Sequence, residues 1–431
     1  MNIILQLNEI NFDLVTHYIN SGKSLPNLSK LIKEYRSSHT SSETDYDKLE
    51  PWIQWVSFYT GRSFDDHRIF RLGDAVKSKV NDQIFCILES MGFKVGAVAP
   101  MNARNDLSNP SYFIPDPWTK TDCDKTAFSK RITNMLIQTV NDNTSGKISF
   151  KSILTLTEIL IKTFTIKNYF FFLYLIISSL RKKWYKALIL DYIIHKLHLF
   201  YYRNKSPDIS FIFLNAGAHI QHHYLFNSSY YNGNLKNPSW YIHEDHDPVS
   251  DMLEIYDKII GDFYELNCSL FVITGLSQEP YIKEKFYWRL SDHERFFNEL
   301  ALKFTKINPR MTRDFEVLFA SNEDRDNFQI KVECLYLNET NEKLFGEVQV
   351  RDKSLFITLT YPKEIVDSDY VLINDRKVYL FNYVNFVALK NGMHNAKGYF
   401  YYPNDFIIPK NTDINISDLR NIFLDNFAKT I

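Results

Sequence analysis

The chain is poor in cysteine, glycine and proline. Its four cysteines, Cys86, Cys123, Cys268 and Cys334, lie far apart with no CxxC spacing. That argues against a disulfide framework or a cysteine-type zinc site and fits a reducing compartment. With 13 Gly and 14 Pro in 431 residues, collagen-like and low-complexity chains are excluded. Charge of one sign is lacking as well: 50 Lys+Arg meet 51 Asp+Glu. A binder that neutralises many phosphates needs a basic surplus, so no nucleic-acid partner is expected. Long apolar runs are absent too. The most apolar stretch, Tyr169 to Leu180, has 12 residues, whereas a bilayer span needs about 20. The opening MNIILQLNEINF carries no basic segment and only a short apolar run, so no signal peptide is expected. The expected location is cytoplasmic, with attachment to the inner face of a membrane as the variant.

What remains is ordinary globular material, 45% hydrophobic and 23% charged, enough to build a core and rule out wholesale disorder. Residues 3–7 (IILQL), 94–99 (KVGAVA), 210–215 (SFIFLN) and 270–274 (LFVIT) read as buried strands. Helical patterns follow at 12–19, 84–90 and 251–264. Strand, loop and helix in alternation predict an α/β fold: a central, mostly parallel sheet flanked by helices. Ligands bind such sheets at the carboxyl ends of the strands. Residues 125–205 are helical in period and are expected as an insertion, with a loop at 142–147. From about 325, QIKVECLYL, FGEVQVRD, SLFITLTY and RKVYLFNYV are β-rich. The expected division is a core of 1–124, 206–290 and 385–431, a helical insertion at 125–205, and an α+β subdomain at 291–384.

The run Tyr169–Leu180 is followed by Arg181, Lys182, Lys183 and Lys186. It reads either as a buried helix of the insertion or as an interfacial helix that meets an anionic membrane or a partner.

Three loops after the strands are polar at the expected place: Asn8 and Glu9; Asn215, His219, His222 and His223; and Thr274, Ser277, Gln278 and Glu279. His219 and His223 are four apart, so on a helix they share a face and could hold a divalent ion, with His222 pointing elsewhere. Arg310 and Arg313, three apart, could grip a phosphate or sulfate, or tie the subdomain down through an ion pair. HEDHD at 243–247 has metal-ligand residue types but reads as a solvated loop.

The order of these elements resembles the alkaline phosphatase superfamily, in particular its nucleotide pyrophosphatase/phosphodiesterase-like branch. The opening segment through SLPNLSKLIKE is similar to that family's first strand, metal-binding Asp-Gly and following helix. EPWIQWVSFYTGR resembles its nucleophile region. NAGAHIQHHY resembles its Asp and His loop, FVITGLSQEPY its Asp-His segment, and NGMHNAKGYFYY its late Gly-x-His. The resemblance implies an α/β phosphatase-like fold, a phosphate or sulfate ester substrate, carbohydrate- or nucleotide-linked, and divalent metal. The departures from it are specific. Asn8, with Glu9 beside it, stands for the first Asp. Leu49 to Pro51 replace the hydroxyl nucleophile, leaving Glu50, Gln54 and Ser57 as the polar groups nearby. Asn215 or Ala218 stands for the Asp of the His loop, unless His219 and His223 themselves take its Asp and His positions, and Leu276-Ser277 stands for the Asp-His pair. What the resemblance then supports is one zinc or manganese ion at most, held by Glu9, His219, His223 and His394. Glu50, Gln54, Ser57 and Gln278 are the catalytic candidates. Asn8, Asn215, His222, Arg310 and Arg313 are the ligand-binding ones. The alternative is a non-catalytic member that binds an anionic ligand or a partner.

Overall fold

The computed structural model describes residues 1–78, 82–141, 149–310, 313–338, 340–373, 376–409 and 414–429. The loop expected at 142–147 lies outside them. Two compact units form, Met1–Pro280 with Gly392–Ile431, and Tyr281–Asn391.

The first unit is built on an eight-stranded sheet. In chain order its strands are β1 (Asn2–Leu7), β2 (Arg36–Ser41), β3 (Val95–Val98), β4 (Tyr112–Ile114), β5 (Ile209–Leu214) and β6 (Ser269–Ile273), then Lys397–Tyr402 and Ile414–Asn415. Across the sheet the order is Ile414–Asn415, β2, Lys397–Tyr402, β6, β1, β5, β3, β4. Every neighbouring pair is parallel except those made by Lys397–Tyr402, which runs against both its neighbours. This is the mostly parallel α/β architecture that the strand pattern predicts.

β1 occupies the centre because it is apolar on both faces. Ile3, Leu5 and Leu7 enter the core on one side, with helices Phe12–Asn20, Tyr185–Lys205 and Pro248–Tyr264. Ile4 enters the core on the other, with Pro51–Thr60, Ile84–Ser90 and Asp418–Ala428. Side chains alternate along a strand, so a run that is mostly apolar on both faces serves two layers of helices; its one fully buried polar side chain, Gln6, accepts from Tyr59 Oη. β2 (RSSHTS) has no apolar alternation and is mostly exposed, which is why its sequence does not announce it.

In the second unit, strands Phe345–Arg351, Ser354–Leu359, Asp314–Leu318 and Lys306–Pro309 form an antiparallel sheet in that order. The expected strand in QIKVECLYL is not there: QIKVE closes the helix Asn322–Glu333. Ser321 caps that helix by accepting from Asp324 N–H, and Phe328 and Val332, four apart, are buried together. A good cap and a helical apolar pair outweigh the β-branched composition. The unit is also wider than 291–384. Phe286–Leu290 pairs with Val384–Leu389 inside it. Ser277–Pro280 pairs with Gly392–Asn395 in the first unit.

Among the described residues of 125–205 the expected helices are present, as Ala127–Asn141, Phe150–Thr163, Ile166–Arg181 and Tyr185–Lys205. The last lies against β5 with most of its side chains buried. Ile166–Arg181 is different: of the apolar run Tyr169–Leu180, only Phe172 and Leu175 are buried. Reading that run as a buried helix is therefore corrected. Among the described residues no helix is long and apolar enough to cross a membrane.

Candidate metal site

Glu9, in the turn after β1, has a positive φ of 61°, a conformation that costs a non-glycine residue about 1 kcal/mol. The surroundings hold it there. Its N–H donates to the Thr274 carbonyl at 3.1 Å, and the Gln221 amide donates to its own carbonyl at 2.9 Å. The turn thereby drives the Glu9 carboxylate inward, where it is 2% exposed.

Two imidazoles meet it there. Glu9 Oε2 lies 3.0 Å from His222 Nε2 and 3.2 Å from His394 Nε2, and the two nitrogens are 3.2 Å apart. Among the described residues these three form the one group of such ligands within reach of a common ion. They come from three separate segments: the turn after β1, the helix Ala216–Tyr224 and the strand Gly392–Asn395. Ligand atoms about 3.3 Å apart are what a tetrahedral ion with bonds of about 2.0–2.1 Å requires, so the triangle fits a small divalent metal. His394 Nδ1 lies 3.7 Å from Glu50 Oε2. A carboxylate on that side favours the proton on Nδ1 and leaves the Nε2 lone pair for a metal.

The Glu9 carboxyl is governed by opposing effects. Burial pushes its pKa up, but the His394 and His222 charges and hydrogen bonds outweigh this and hold it well below the usual carboxylate range. For His394, burial disfavours the imidazolium, yet Glu9, with Glu50 behind it, raises the pKa above 6.5.

Around this centre the side chains are mutually locked. Gln278 Nε2 donates to Glu9 Oε2 at 2.6 Å and to the Ala218 carbonyl at 3.0 Å. Asn8 donates to Glu9 Oε1 at 3.0 Å and to Asn215 Oδ1 at 2.8 Å, and accepts from the buried Trp55 indole at 2.8 Å. Asp191, fully buried, accepts from the Asn215 and Ala216 N–H groups at the start of the His222 helix and from Tyr256 Oη. Burial pushes its pKa up to about 6, against those hydrogen bonds.

The structure brings some of the predicted residues together and leaves others apart. Glu9 and His394 meet as expected, and Asn8, Asn215 and Gln278 surround them. His219 and His223 do share a helix face, with ring centroids 4.2 Å apart. They are not the pair that joins Glu9; His222 is, contrary to the expectation that it points elsewhere. The reason is rotational. Gly217 faces inward, where a Cβ would collide with Ile10 and Tyr256, and Gln221 is fully buried against the Glu9 turn. With 100° per residue, His222 falls on the side of Ala218 and Gln221, whereas His219 turns outward and is exposed.

Glu50 stands at the head of helix Pro51–Thr60 beside His394. Gln54 is not free for chemistry: its amide donates to the Lys48 carbonyl and its oxygen accepts from Glu43 N–H. Ser57 is likewise occupied by the Ile53 carbonyl and His67. Arg310 and Arg313 do not assemble an anion clamp. Arg310 pairs with Glu316 at 2.9 Å, and Arg313 lies over the Tyr287 ring and reaches the Leu359 carbonyl, all within the second unit. In HEDHD, His243 pairs with Asp245 on the surface, and Asp247 caps the helix Pro248–Tyr264. Sequence reasoning missed Gln221, Asp191 and Asn11. Asn11 caps the first helix while its amide holds the Gln278 carbonyl at 2.9 Å. None of the three belongs to a recognisable spacing.

No family model and no curated protein matches the sequence. Solved structures do. Phosphonoacetate hydrolase from Sinorhizobium meliloti 1021, in complex with phosphonoformate, is 12% identical, over 100% of this chain and 95% of that one, at a TM-score of 0.44. Murine ectonucleotide pyrophosphatase/phosphodiesterase 5 is 9% identical, over 99% and 95%, at 0.42. The alkaline phosphatase PafA is 10% identical, over 97% and 94%, at 0.43.

Proposed function

We propose that the protein is a metal-assisted hydrolase or transferase of phosphate esters, with one divalent ion, zinc or manganese, held by Glu9, His222 and His394. The observation that carries this reading is the triangle of 3.0, 3.2 and 3.2 Å among Glu9 Oε2 and the two Nε2 atoms. Three segments distant in sequence converge there on one point. When bound, such an ion polarises a phosphoryl oxygen and lowers the pKa of water toward about 7. The chain's own groups supply the rest. Glu50, 30% exposed and beside His394, accepts the proton of an attacking water or acceptor hydroxyl. Asn215 faces the same turn through Asn8 and offers its amide to a substrate oxygen. No hydroxyl stands at the head of helix Pro51–Thr60, so attack by water or an acceptor replaces a covalent enzyme intermediate. Sulfate esters and carbohydrate- or nucleotide-linked phosphates are the finer possibilities, on the motif resemblance alone. A cytoplasmic location is in keeping with four free cysteines.

Metal analysis with activity assays on aryl phosphate, phosphodiester and sulfate esters tests the reading. One equivalent of zinc or manganese, lost in His222→Ala and His394→Ala together with turnover, supports it. A protein that holds no metal and hydrolyses none of these esters sinks it. Asn8 and Asn215, bonded to each other where the resemblance implies carboxylates, favour a second reading in that event: a non-catalytic module that binds an anion.

A further inference from the structure

The helix Ile166–Arg181 is apolar on the wrong side for a surface helix of a globular protein. Ile166, Phe170, Leu173, Ile177 and Leu180 recur at spacings of four, three, four and three and so form one stripe. They are 77%, 72%, 53%, 57% and 80% exposed. Phe172 and Leu175 are the buried residues of the opposite face, with Phe171 packed partly buried beside Tyr192. Tyr169 and Tyr174, also exposed, edge the stripe, the position that amphipathic rings take at a membrane surface. The preceding helix, Phe150–Thr163, likewise exposes Phe150, Leu154 and Ile161.

Charge selects the occupant. Residues 149–190 carry seven Lys and Arg against the single acid Glu158, in a chain with 50 basic and 51 acidic residues overall. Glu158 is itself taken by Arg131 and Lys162. Among the described residues Lys151, Lys167, Arg181, Lys183 and Lys186 have no acidic partner within ion-pair distance, whereas Lys182 has Asp251. Apolar and aromatic side chains on one face with unpaired cations at its ends suit the boundary of an anionic bilayer. At 16 residues, or about 24 Å, the helix can lie in that boundary but not cross it.

We infer that the exposed stripe of Ile166–Arg181 seats this protein on an anionic phospholipid surface, with Arg181, Lys183 and Lys186 contacting the headgroups. The inference is independent of the metal site and stands whether or not the site is catalytic.

The test is co-sedimentation of the full chain with vesicles of phosphatidylcholine alone and with about 30% phosphatidylserine. Two variants accompany it: Ile166→Ser/Phe170→Ser/Ile177→Ser/Leu180→Ser and Arg181→Gln/Lys183→Gln/Lys186→Gln. Pelleting should be about tenfold stronger on the anionic vesicles and should weaken with added salt. The serine variant should lose binding at an unchanged melting temperature, because the replaced side chains leave the core intact. The glutamine variant should lose the anionic preference. Absence of pelleting, equal pelleting on both vesicles, or a serine variant that pellets like the parent overturns the inference. So does a dimer in sedimentation velocity that the serine variant abolishes while vesicles go unbound, since the stripe then covers a second copy of the chain.

Discussion

Ser57 Oγ lies 3.1 Å from His67 Nε2, the spacing of a nucleophile and its base, but the proton is on the wrong nitrogen. Ile69 N–H donates to His67 Nδ1 at 3.0 Å, so in the neutral ring Nε2 bears the hydrogen and donates to Ser57, which in turn donates to the Ile53 carbonyl. Burial lowers the His67 pKa to about 4, so the ring stays neutral and keeps that tautomer. Ser57→Ala should leave ester hydrolysis within about twofold of the parent and cost about 1–2 kcal/mol of stability from the lost hydrogen bonds. Parallel denaturant melts and rate assays check this; loss of turnover by several orders of magnitude would return Ser57 to the chemistry.

His222 and His219 are three residues apart, but only His222 reaches Glu9. His222→Ala should lower metal affinity by roughly a hundredfold or more, and His219→Ala by less than about threefold, because only the first removes a ligand. Equilibrium dialysis against zinc or manganese reads both. Equal losses would mean that the helix presents a different face in solution.

Metal binding should strengthen as pH rises. The pKa of His394 is raised above 6.5 in the fold, and an ion needs the ring deprotonated, so binding releases a proton. The metal-free protein should show the complementary trend. The stabilisation that His394 draws from Glu9 is fully present below pH 6.5 and is lost as pH rises through its raised folded value. The Glu9 carboxyl is depressed from 4.5, so its contribution is present above 4.5 and fades as pH falls further. Melting temperature against pH, with and without metal, checks both signs. A metal-free melting temperature that climbs steadily from pH 6 to 8 would contradict them.

Gly392 lets the late strand pass close to the site. A Cβ there would collide with Gln278 Oε1 and crowd the Gln221 carbonyl at 3.0 Å. Gln278 Nε2 is the donor that steadies Glu9 Oε2. Gly392→Ala should therefore cost about 1–3 kcal/mol through overpacking and weaken metal binding without touching a ligand. Calorimetric melts and metal titration read the two effects. A variant as stable and as tightly metallated as the parent would show that the strand has room to shift.

The sequence alone determined the central strands β1, β3, β5 and β6, their parallel arrangement and the helices between them, because short buried apolar runs that alternate with polar loops and helical patterns have few other solutions. It also placed the polar loops that hold Glu9, the histidines and His394. β2 and β4 were not legible: one is polar, the other only three residues long, and pairing partners distant in the chain make them strands. The choice of His222 over His219 and His223 was decided by tertiary structure, since the period of a helix says which residues share a face but not which face the neighbours cover; Gly217 against Ile10 and Gln221 against the Glu9 turn settle that. The same holds for Gln54 and Ser57, polar residues near the right place whose hydrogen bonds are spent on backbone brought up by the fold, and for Arg310 and Arg313, whose partners lie within their own unit. Local pattern sets what a segment becomes, and only the packing of remote segments sets what each polar side chain meets.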